Sequence, residues 1–119
     1  MFKAAGKTYR SRKDLLHKEI GEYQSTWFFR PLPIYEDKYG RQVIHLFERF
    51  PCFDIYDSMY ENRYYNWYFI KYDDKIAVVY IVDEQDEINV CDDLKEDEDC
   101  DDCCIDETHF TELKACGFL

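Results

Sequence analysis

Glycine and proline are scarce in this chain, with four and three residues among 119. So few glycines, none in a spaced cluster, exclude a glycine-rich phosphate loop. No Pro/Gly/Ser linker divides the chain and no internal repeat is visible, so a single domain over residues 1–119 is expected, long enough to bury one core. Long apolar runs are also missing. The longest aliphatic stretch, "IAVVYIV", has seven residues, well short of the ~20 that a membrane-spanning helix needs. The N-terminal "MFKAAGKTYRSRK" lacks the apolar centre of a secretory signal. A soluble cytoplasmic protein is expected, in which the six cysteines are thiols or metal ligands rather than disulfides.

Basic residues are nearly absent from the last third. Residues 1–75 hold 13 Lys/Arg and 11 Asp/Glu, a net of +2, whereas residues 76–119 hold 2 and 15, a net of −13. The whole formal excess of −11 therefore lies in one part of the chain. Such a surface repels phosphate backbones, anionic membranes and acidic substrates, and steers basic proteins toward itself. Apolar residues, by contrast, are plentiful at 46%, with 18% aromatic. That excludes a disordered chain.

The pattern of residues gives an α+β expectation: an antiparallel sheet of four to six strands, an N-terminal helix, a short C-terminal helix, and an acidic cysteine-rich loop over 91–105 between the last strand and the last helix. "MFKAAGKTY" reads as a short extended segment with Gly6 at a turn. Ser11 is a candidate N-cap for a helix over "RKDLLHKEIGEY", where Leu15, Leu16, Glu19, Ile20 and Tyr23 follow helical spacing and Asp14 stands three residues past the cap. "TWFFRPLPIYE" and "RQVIHLFERF" flank the turn cluster "DKYG" and predict a hairpin, with the Pro31/Pro33 strand at a sheet edge because proline cannot donate to a ladder. "PCFDIYDSMYEN" reads as a strand fragment and a loop. "RYYNWYFIKY" and "KIAVVYIV", joined through Asp73-Asp74, have two apolar or amphipathic faces, the mark of central strands covered on both sides. A short strand "EINV" and a helix in "DETHFTELKACGFL", capped by Asp106 and ended by Gly117, complete the chain.

Candidate chemistry centres on the cysteines. Cys100-x-x-Cys103 is a thiolate-knuckle spacing, and Cys91, Cys104 and His109 could complete a zinc site. His109 and Cys116 cannot share one metal if the last segment is helical, since seven residues span about 10 Å at 1.5 Å per residue. Asp97, Asp99 and Asp101 alternate as in a calcium loop, but Asp102 replaces the turn glycine and Thr108 the bidentate glutamate. The surrounding carboxylates would raise the thiol pKa and disfavour a redox role. Glu36-x-Lys38 resembles half of a nuclease metal site without the preceding Pro-Asp. His17, His45 and His109 have no nucleophile beside them in sequence, and nothing marks Asp54 and Asp57 as a carboxylate pair. No catalytic constellation emerges, and neither an enzyme nor a bound cofactor is expected.

"KTYRSRKDLLHK" could in isolation set Lys7, Arg10, Arg12 and Lys13 on phosphates; the acidic remainder of the chain argues against direct nucleic-acid binding. Half of the residues from Asp83 to Glu112 are carboxylates, a density that can imitate duplex phosphates, which run one per ~1.7 Å of axis. The expectation is an inhibitor that binds a basic nucleic-acid-handling protein, such as a nuclease, through Asp83, Glu84, Asp86, Glu87, Asp92, Asp93, Glu96, Asp97, Glu98, Asp99, Asp101 and Asp102. In composition and size alone the chain resembles viral counter-defence proteins and nuclease immunity proteins. Two alternatives stand beside this: a zinc-stapled interaction module using Cys91, Cys100, Cys103 and His109, and an interaction domain without mimicry, in which the acidic loop serves solubility or the tyrosine face of "RYYNWYFIKY" does the binding.

Overall fold

The computed structural model describes residues 1–25, 30–54, 59–73, 75–82, 88–94, 107–115 and 117–118. Among them the chain is mixed α+β and mostly strand. Its elements are β1 (Phe2–Ala4), β2 (Lys7–Tyr9), α1 (Arg12–Leu15), β3 (Lys18–Ser25), β4 (Arg30–Glu36), β5 (Gln42–Asp54), β6 (Met59–Tyr72), β7 (Lys75–Val82), β8 (Asn89–Leu94) and α2 (Glu107–Ala115). Strands β3 to β8 form one antiparallel sheet in chain order, and β1 and β2 form a separate two-stranded sheet.

The N-terminal helix is much shorter than its spacing predicts. Ser11 does cap it, accepting from Lys13 N at 3.3 Å, and Asp14 accepts from Arg10 N at 2.6 Å. One turn later the chain becomes β3. Extending the helix would put Gly21 in its interior at a cost of about 1 kcal/mol, whereas as a strand the segment pairs along all of β4, from Lys18↔Glu36 to Ser25↔Arg30. Long-range pairing overrides a short local period.

A second correction concerns the prolines. β4 is an interior strand and β3 takes the edge, where a bulge between Glu19 and Gly21 and the charges of Lys18, Glu19 and Glu22 blunt it. Pro31 and Pro33 lie opposite Gln24 and Glu22, while the described β4–β5 pairing covers only Ile34–Glu36. Their missing donors fall where pairing toward β5 has ended. "PCFDIYDSMYEN" also differs from expectation: β5 and β6 pair continuously from Val43↔Ile70 to Asp54↔Met59, and residues 55–58 lie outside the described residues. Finally, β8 runs through Cys91–Leu94, so four residues assigned to the acidic loop are strand.

Both faces of the sheet are covered, as the β6 and β7 patterns predict. On one face Leu32, Ile34, Ile44, Leu46, Trp67, Phe69, Ile76, Val78 and Tyr80 pack with Phe110, Leu113 and Phe118 of the C-terminal segment. Gly117, at φ 90°, ends α2 as its sequence suggests. Gly117 N donates to Lys114 O and Phe118 N to Leu113 O, the paired bonds of a Schellman motif. On the other face Val43, Tyr68, Ile70, Ala77, Val79 and Ile81 pack with Ala4, Ala5, Tyr9 and Leu15. The β1–β2 hairpin thus serves as a lid on the second core.

Candidate functional site

Three hairpin turns converge at one end of the sheet. Ala5 and Gly6 both have positive φ, 50° and 74°, the type I′ geometry of a two-residue turn between Ala4 and Lys7. Asp37–Gly40 closes β4 to β5, with Gly40 N donating to Asp37 O at 3.0 Å. Asp73, φ 44°, lies in the tight connection between Tyr72 and Lys75. The turns line an open cleft of about 630 Å³ that carries Lys7, Arg41 and Lys71.

Asp37 organises this end. Its side chain is fully buried. It accepts from the Tyr9 hydroxyl at 2.6 Å, Tyr39 N at 2.9 Å, Arg41 N at 2.8 Å and Arg41 Nε at 3.3 Å. Arg41 also donates from Nη1 to Ala5 O at 2.6 Å and from Nη2 to the Tyr9 hydroxyl. Burial, then the Asp37 carboxylate, push the Tyr9 hydroxyl well above the usual tyrosine range, with Arg41 acting in the opposite sense. Lys7, Lys38 and Arg41 surround the Tyr39 ring at 5.5, 5.1 and 5.8 Å, within cation–π range. The sequence marks Asp37 as a turn residue. An aspartate two residues before an acceptor-seeking N–H and three before glycine is the available signal, but its Tyr9 partner, 28 positions away, has none.

A second recess lies between α1 and the sheet. It has a volume of about 580 Å³ and is lined by Arg12, Lys13, Leu16, His17, His45 and Tyr68. His45 stacks on Tyr68 with centroids 4.5 Å apart and planes 8° from parallel, and its Nε2 bonds Asn66 Oδ1 at 2.8 Å. Burial raises the Tyr68 pKa, while a hydrogen bond with the Arg12 side chain lowers it. Arg12 and Lys13 belong to the basic stretch that could in isolation contact phosphates, and His17 and His45 are two of the three histidines with no nucleophile beside them in sequence.

Of the expected acidic contact residues, Asp92 alone has a described side chain. It is exposed, and its Oδ1 accepts from Ala5 N at 2.6 Å, which ties β8 to the β1–β2 turn. Asp93 lies in β8. Asp83, Glu84, Asp86, Glu87, Glu96, Asp97, Glu98, Asp99, Asp101 and Asp102 lie outside the described residues, as do Cys100, Cys103, Cys104, Asp106 and Cys116. Of the candidate metal ligands, Cys91 is partly buried against the first core. His109 is buried on α2, its ring 5.2 Å from that of Trp67. Among the described residues no three His, Cys, Asp or Glu side chains come together as a metal site, and no helix is long and apolar enough to cross a membrane.

Comparison with protein-family models, curated proteins and solved structures gives no match to this chain.

Proposed function

We propose that the chain is a non-catalytic binding protein whose acidic segment, from Asp83 to Asp102, engages the phosphate-binding surface of a basic nucleic-acid-handling protein. The observation that carries this reading is the separation of charge, −13 in residues 76–119 against +2 in residues 1–75. The two described cores are clusters of apolar side chains, and Asp92, the one member of the segment with a described side chain, is exposed and holds a backbone donor of the β1–β2 turn. The zinc alternative is weaker for a specific reason: the His109 ring is buried against Trp67 in the core.

The test separates steering from folding. Glu96, Asp97, Glu98, Asp99, Asp101 and Asp102 are replaced by Gln or Asn, with Asp92 left intact, and a partner captured from host lysate is titrated with both forms. The neutralised protein should keep its melting temperature, because crowded like charges repel, while its on-rate falls and duplex DNA competes with the parent for the partner. A neutralised form that binds at the parental rate, or a complex indifferent to duplex and to salt, overturns the reading.

A further inference from the structure

The recess between α1 and the sheet is opposite in character to the acidic segment. Of its six lining side chains, Arg12 and Lys13 are cationic, His17 and His45 are imidazoles, and none is a carboxylate. The one-turn helix makes this possible. Burial of Leu15 in the second core pins α1 to the sheet, and the early exit into β3 turns Leu16 and His17 back over the same opening that Arg12 and Lys13 flank. One side of the recess is a stacked ring pair on the sheet. Tyr68 is buried, His45 lies parallel to it, and Asn66 fixes the imidazole. A volume of about 580 Å³ lies within the range of small-molecule sites, ~300–1,000 Å³.

These features select a ligand. A planar guanidinium and an ammonium on adjacent residues match the several acceptor oxygens of a phosphoryl group. Leu16 and the stacked His45–Tyr68 pair offer an apolar, planar wall for a ring attached to it. We propose that this recess binds a small phosphate monoester carrying a planar ring, of the mononucleotide class. Arg12 and Lys13 hold the phosphoryl oxygens, His17 adds a donor at the rim, and the ring lies along the His45–Tyr68 wall. None of the lining residues belongs to the acidic segment, and the two proposals rest on different observations, so either can fail without the other.

Calorimetric titration of the full chain with adenosine monophosphate, inorganic phosphate and adenosine tests the assignment. The monophosphate should bind saturably, phosphate more weakly, and adenosine most weakly. Arg12→Gln/Lys13→Gln should weaken the monophosphate about tenfold or more, since each charge-assisted bond contributes on that scale. Lys3→Gln/Lys114→Gln removes the same charge from exposed positions outside the recess and should change affinity less than about twofold. His17→Gln, at an exposed position, provides a second variant that leaves α1 and both cores intact, and should also weaken binding. The His17 and His45 ring resonances should shift on titration. Absence of saturable binding, equal losses in the two double variants, or adenosine binding as tightly as its monophosphate would each overturn the proposal.

Discussion

Replacing Asp37 by alanine is the sharpest test of how the three turns are held together. The carboxylate is fully buried, and its partner Arg41 retains only 16% side-chain exposure. The substitution removes the acceptor for four donors, two of them backbone N–H groups of the turn itself. It also leaves a guanidinium whose remaining bonds are to Ala5 O and the Tyr9 hydroxyl. Breaking a buried pair by removing one member costs about 3–5 kcal/mol. The lost turn bonds, about 1 kcal/mol each, overlap with that figure rather than adding to it. For a domain of this length about 4 kcal/mol corresponds to a fall of roughly 15 °C in melting temperature, readable by circular dichroism. Asp37→Ala/Arg41→Met should recover part of the loss, because the unpaired cation is then gone. A single variant melting within about 3 °C of the parent, or a double variant whose losses simply add, would refute the account of Asp37 as the organising group.

Trp67, buried between Tyr80 and His109, should cost about 3–5 kcal/mol as Trp67→Ala, measured by urea unfolding. Gly117→Ala forces a side chain into φ 90° and should cost about 1 kcal/mol, with faster amide exchange confined to α2. Burial raises the pKa of Tyr9, Tyr35 and Tyr68 in the folded state. Their contribution to stability is therefore complete below the unfolded value of about 10 and declines as pH rises from there toward the folded values. Urea midpoints should fall between about pH 9.5 and 11, and less steeply in Tyr9→Phe; a flat profile would contradict the burial of these hydroxyls.

What could be read from the sequence was local chemistry and period. The paired strands of "RYYNWYFIKY" and "KIAVVYIV" are legible because both faces alternate between apolar residues, and the two cores then fill those faces with Phe69 and Val78 on one side and Ile70 and Ala77 on the other. Gly117 and the "DKYG" turn are legible because each needs a particular backbone conformation. The N-terminal helix misleads because Leu15, Leu16, Ile20 and Tyr23 satisfy a helical period over too few turns to outweigh pairing with β4. Ile20 is in fact 43% exposed, and only Leu15 of that set is fully buried. The recess escapes sequence reasoning for a different reason. Arg12 and His17 are near neighbours in the chain, but His45 and Tyr68 join them only through the register of β5 and β6, in which His45 pairs with Tyr68.

The contact between Asp92 and Ala5 N links the two charge regimes. The β1–β2 turn is held from both sides, by the Asp92 carboxylate at Ala5 N and by Arg41 at Ala5 O. An alanine with positive φ is costly by about 1 kcal/mol, so this turn depends on both clamps. One residue of the acidic segment, Asp92, therefore also closes the lid over the second core. A partner drawing on the charge of Asp92 would compete with that closure, so binding at this residue and packing of the lid over the second core are opposed. An Asp92→Asn variant should loosen the β1–β2 turn, read as faster exchange of the Ala5 amide.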